Sequence, residues 1–106
     1  MTATDFTQRR EKYLKLPRSY QFGNLASDLN RVAMGLAGTG HVESLAFWVE
    51  QAKYLAKWTA VSAKPEEVKE LLEIHQALAN FEQNINDKTK KKKMKTNAKL
   101  WSDKMI

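Results

Sequence analysis

Apolar residues recur at steps of three and four along most of the chain, the repeat that places side chains on one face of an α-helix. Over residues 20–37 these positions are Phe22, Leu25, Ala26, Leu29, Val32, Ala33 and Leu36. Ser19 is the expected N-cap, and Gly38-Thr39-Gly40 the expected end, because helix termini recruit glycine for its access to the left-handed conformation. Residues 41–62 carry a broader apolar face built on Val42, Leu45, Trp48, Val49, Ala52, Leu55, Ala56 and Thr59, leaving a narrow wet stripe at Glu43, Glu50, Lys57 and Lys64. A helix that is apolar around most of its circumference belongs at the centre of a fold. Residues 65–86 open with Pro65 at the first helical position, where a missing N–H costs nothing, and with Glu66 and Glu67 at the positive end of the dipole. Val68, Leu71, Leu72, His75, Leu78, Ala79 and Ile85 mark the expected inner face, with Ile74 and Phe81 beside it, and Asn84, Asn86, Asp87 and Thr89 predict fraying. A shorter helix is expected over residues 4–16, capped by Thr4, carrying Phe6, Tyr13, Leu14 and Leu16, and stopped by Pro17, which drives its predecessor out of the α region.

Short links between long helices force antiparallel neighbours. The expected fold is therefore all-α: an up-down-up bundle of three long helices with a short N-terminal helix. Residues 1–87 form the expected bundle domain and residues 88–106 a Lys-rich tail. Within that tail Met94, Ala98, Trp101 and Met105 fall at i, i+4, i+7 and i+11. If helical, this is a basic amphipathic segment, able to fold back as a fourth helix or to remain solvated.

At 106 residues the chain suffices for one domain with a thin core and little room for a water-excluding cavity. It has no cysteine, so disulfides, thiolate catalysis and thiolate zinc sites are excluded. Residues 1–6 lack the apolar region of a secretory signal, and no apolar run is long enough to span a membrane. The expected compartment is the cytoplasm.

The net charge of +6 is unevenly placed. Residues 1–87 hold ten basic and eleven acidic residues, a net charge of −1, whereas residues 88–106 hold eight lysines and one aspartate. Six of the eight residues from Lys88 to Lys95 are lysine: Lys88, Lys90, Lys91, Lys92, Lys93 and Lys95. Any attraction to a polyanion rests on this segment alone. It offers counterion release from phosphates without sequence recognition, since no arginine is present for bidentate guanine contact. Nucleic acid is thus a partner through the tail only, and an anionic membrane surface is a weaker one.

No catalytic constellation is visible. There is no GxSxG elbow, and Glu66, Glu67, Glu70 and Glu73 lie on a solvated helix face interleaved with Lys69. His75 sits among leucines without a second ligand at helical spacing, which reads as a hydrogen-bonded histidine rather than a metal ligand or general base. Gly38-Thr39-Gly40-His41 resembles an anion-binding helix start, but lacks the lysine and preceding strand of a phosphate loop, so a plain helix terminus is the preferred reading. No enzyme activity, metal or cofactor is expected.

Phe47, Tyr54 and Trp58 form a second apolar row on the flank of the central helix. Either the N-terminal segment covers it, or a partner does; aromatic rows of this kind anchor protein interfaces. The expected function is a small non-enzymatic helical module acting through protein–protein contact on Phe47, Tyr54 and Trp58, with self-association as a homodimer one form of it. The alternative is electrostatic binding of nucleic acid or an anionic membrane surface through the lysine segment.

Overall fold

The computed structural model describes residues 3–39 and 42–105, with side chains over 5–37 and 45–105. Five α-helices account for nearly all of the described residues: α1 Ala3–Leu14, α2 Arg18–Met34, α3 Val42–Val61, α4 Pro65–Glu82 and α5 Lys88–Lys104. No strand occurs among them. The all-α bundle expected from the apolar periodicity is the observed architecture.

Proline sets the first boundary. Pro17 pushes Leu16 out of the helical region, so α1 closes at Leu14 rather than Leu16, through bonds from Lys15 N to Lys12 O and from Leu16 N to Tyr13 O. Pro17 itself, not Ser19, is the N-cap of α2: its carbonyl accepts from the amides of Tyr20 and Gln21. With φ preset and no amide hydrogen to leave orphaned, proline fits a helix start without a side-chain cap. Thr4, likewise expected as a cap, lies inside α1.

The far end of α2 also departs from expectation. At Gly35, with φ −61°, the chain stays right-handed and widens into a π-helical turn over Gly35–Thr39, while Gly40 of the expected terminus lies outside the described residues. Gly35 faces Leu45 of α3 so closely that a Cβ there would meet the Leu45 Cδ1 at 3.3 Å. Glycine at this position lets the two helices approach where the chain turns.

The three-residue link 62–64 returns α4 along α3, with Pro65 at its first position and Lys64 N donating to Glu67 Oε1 at 2.8 Å. After α4 a turn over 83–86 leads to Asp87, whose Oδ1 accepts from Lys90 N at 3.0 Å and starts α5. The packing partners are α3 with α2 and α4, α2 with α5, and α1 laid across α3. The seam between α4 and α5 is the loosest, tied at one end by Lys104 and Glu70 at 2.7 Å.

The core is continuous through all five helices. Leu25, Leu29 and Val32 of α2, Val49 and Ala52 of α3, and Leu71, Ile74 and Leu78 of α4 are fully enclosed. Met94, Ala98 and Met105 of α5 join them, and Ser102 Oγ donates to Ala26 O at 2.8 Å across the α2–α5 interface. The two methionines alone contribute roughly 1.5–3 kcal/mol each on burial. The inner face of α4 is rotated from the expected one. Ile74 and Phe81 are buried and Leu72 is exposed, because α5 covers the flank carrying Ile74 and Phe81.

Candidate functional site

Two of the three aromatic residues on the α3 flank are covered by the chain's own N-terminus. Phe6 of α1 packs edge-on against Tyr54 at 4.9 Å and Trp58 at 5.3 Å between ring centroids. Trp58 is 4% exposed and Tyr54 partly buried; Phe47, about two turns before Tyr54 on the same helix, is 54% exposed and rests edge-on against Trp48.

What holds α1 in place is a buried polar cluster that helical periodicity did not single out. The Tyr13 hydroxyl donates to the Gln21 carbonyl at 2.7 Å and lies 2.6 Å from Thr59 Oγ1, so the Thr59 hydroxyl donates to it. Gln21 is itself buried, with Nε2 donating to Leu16 O and Oε1 accepting from Ser62. Burial pushes the Tyr13 phenol up to about 12; the Thr59 hydrogen bond opposes this and the Asp28 charge adds to it. Asp28, on the same side of α2, has a side chain only 6% exposed. Its Oδ1 accepts from Arg31 at 3.0 Å, while Oδ2 is enclosed without a hydrogen-bond partner among the described residues. Burial raises its pKa against the hydrogen bond and charge of Arg31 and the charge of Arg9. The signal in the sequence was faint: two polar residues, Gln21 and Asp28, interrupt the apolar face of α2.

His75 Nδ1 donates to the Lys53 carbonyl at 2.9 Å, which fixes its tautomer and occupies it structurally. Nearby, Lys53 bonds Glu82 at 2.7 Å and lies over the Tyr54 ring. No group of three histidine, aspartate or glutamate side chains among the described residues is arranged to hold a metal ion. Of the α4 carboxylates, Glu67 pairs with Arg18 and Glu70 with Lys104. Of the glycine-rich link, Gly38 and Thr39 complete the π-helical turn, while Gly40 and His41 lie outside the described residues. No described helix is long and apolar enough to cross a membrane.

The lysine segment is ordered as the first half of α5. Lys88, Lys90, Lys92, Lys93 and Lys95 are exposed and Lys91 is half-buried. None of the six forms an ion pair among the described residues, although Lys99 and Lys104 further along the helix do. At 100° per residue, Lys90 and Lys93 fall on the flank facing α4, and Lys88, Lys92 and Lys95 on the opposite one. The buried stripe of Met94, Ala98 and Ser102 fixes this orientation.

The electrostatics of this helix start are unfavourable to the free protein. The amino end of a helix carries a partial positive charge, and acidic residues normally occupy its first turn. Here the first turn has none, and the charge balance is left to the capping Asp87. Lysines three and four apart also repel one another along each flank. Comparison with protein-family models, curated proteins and solved structures gives no match to this chain.

Proposed function

We propose that this chain is a non-enzymatic helical module that binds the phosphate backbone of nucleic acid through α5. The observation that carries the reading is the set of six lysines, unpaired among the described residues, concentrated at the positive end of a helix docked on α2. Like charges held together raise the local potential, and phosphates relieve it while releasing condensed counterions. Docking matters because α5 spends its apolar face on α2, so the lysines are presented on a fixed surface.

That same docking argues against the membrane reading in its strong form. A helix lying in a bilayer interface inserts its apolar face, and here that face holds Met94, Ala98 and Met105 in the core. Recognition is expected to be independent of sequence, since lysine provides point charges rather than the planar fork that reads guanine. The protein-contact reading keeps one supporting observation, the exposed Phe47 against Trp48, after Phe6 has covered Tyr54 and Trp58.

The test is fluorescence anisotropy with a labelled oligonucleotide at low salt. The full chain is expected to bind, and a variant with the six lysines changed to glutamine is expected to lose binding while Phe47→Ala retains it. Equal binding by the six-lysine variant, or preference for neutral over anionic probes, would refute the proposal.

A further inference from the structure

The loose α4–α5 seam is an open groove of about 470 Å³. Its floor is Ala77, Phe81 and Met94; its walls carry Asn80, Asn84 and Asn97; Lys90 and Lys93 stand on the α5 rim. No carboxylate lines it among the described residues. Apolar floor, amide walls and cationic rim are the three components a nucleotide matches in turn, with base face, base edge and phosphate.

The hydrogen bonds within the walls define what remains to offer. Asn84 Nδ2 donates to Asn80 O at 3.0 Å, which turns its Oδ1 away from that bond. Asn80 Oδ1 accepts from Gln76 at 3.2 Å, leaving its amide hydrogens free. The Asn97 side chain has no hydrogen-bond partner among the described residues, so both of its amide functions remain available. The groove therefore presents donors and acceptors side by side. Lys90 and Lys93, three apart on one helix face, are close enough to share a single phosphate.

We infer that this groove receives one unstacked nucleotide, so that the chain prefers single-stranded nucleic acid to duplex. The inference rests on the phosphate-binding reading above and narrows it. A duplex offers phosphates to the lysines, but its base edges are paired and stacked and cannot engage the amides. A single strand supplies both. The lysines on the opposite flank, Lys88, Lys92 and Lys95, add charge without choosing between the two forms.

Anisotropy titrations with one labelled sequence, as single-stranded DNA, as single-stranded RNA and as DNA duplex at equal salt, test this. The single strands are expected to bind about tenfold more tightly than duplex, the worth of one or two net hydrogen bonds. Asn80→Ala with Asn97→Ala should remove that preference while leaving duplex affinity and its salt dependence unchanged, because no charge is altered. Asn97→Asp, which sets a carboxylate beside the phosphate, should weaken single-strand binding more than duplex binding. Circular dichroism checks that each variant is folded, and both substituted asparagines lie at the surface or partly so. Equal affinity for single strand and duplex, or asparagine variants that retain the preference, would overturn the groove while leaving phosphate binding intact. Failure to bind any of the three probes at low salt would overturn both.

Discussion

Tyr13→Phe is the substitution whose consequence is most fully determined by the structure. It removes one oxygen from a site where Tyr13 is 7% exposed and where the Gln21 carbonyl and Thr59 hydroxyl both depend on it. Leaving two enclosed polar groups short of a partner costs about 2–3 kcal/mol near pH 8. The pH dependence supplies an independent check. In the unfolded chain the phenol ionises from 10.0, whereas in the folded protein it keeps its proton until about 12. Between those values the unfolded state alone loses the proton, so the folded state loses stability as pH rises. At about 1.4 kcal/mol per pH unit, the wild type forfeits about 2 kcal/mol by about pH 11.5 that Tyr13→Phe cannot forfeit. Urea denaturation followed by far-ultraviolet circular dichroism, on both proteins from about pH 8 to about pH 11.5, measures the gap. The gap should be large at the lower pH and nearly closed at the upper. A gap that stays constant with pH would refute the claim that a buried, protonated phenol clasps α1 over Tyr54 and Trp58.

Three further outcomes follow from particular side chains. Asp28→Asn should leave stability near pH 7 unchanged or raised, since burial of the carboxylate already works against its charge; the wild type, not the variant, should gain stability as pH falls from the raised folded value towards the ordinary 3.8, as chemical denaturation at stepped pH would reveal. Ser102→Ala should cost about 1 kcal/mol, read from the urea midpoint, by leaving the Ala26 carbonyl without its side-chain donor. Lys88→Gln, Lys90→Gln and Lys91→Gln together should raise the melting temperature at low salt by a few degrees, from roughly 0.3 kcal/mol per removed charge at the helix start. That gain should fade as salt is added; an unchanged melting temperature at low salt would mean that the lysines feel neither the dipole nor one another.

The elements of the body were legible because each long helix writes its own apolar stripe, and Pro17 and Pro65 punctuate them unambiguously. The placement of α5 was not. Its inner face consists of Met94, Ala98, Ser102 and Met105, with only the methionines strongly apolar, and lysines mask it on both flanks. Composition alone is equally consistent with a solvated tail, since what decides is the complementary surface of α2 around Ala26. The rotation of α4, exposing Leu72 and burying Ile74, follows from that same unseen neighbour. The lysine cluster was visible as a string, but its division between two flanks and its lack of ion pairs among the described residues needed the three-dimensional structure. So did the groove, whose amides come from helices that the sequence leaves unrelated. For the aromatic row, cover by the N-terminus and cover by a partner were both open from spacing, and Phe6 takes up two of the three positions.

Charge presented by α5 drives the proposed binding, and the salt dependence of nucleic-acid binding measures it most directly. With up to six phosphates neutralised, the logarithm of the binding constant should fall against the logarithm of salt concentration with a slope approaching about −4 for a single strand and about −5 for a duplex. Replacing the six lysines by glutamine should flatten that slope nearly to zero. Binding that is indifferent to salt, or a slope that survives the replacement, would contradict it.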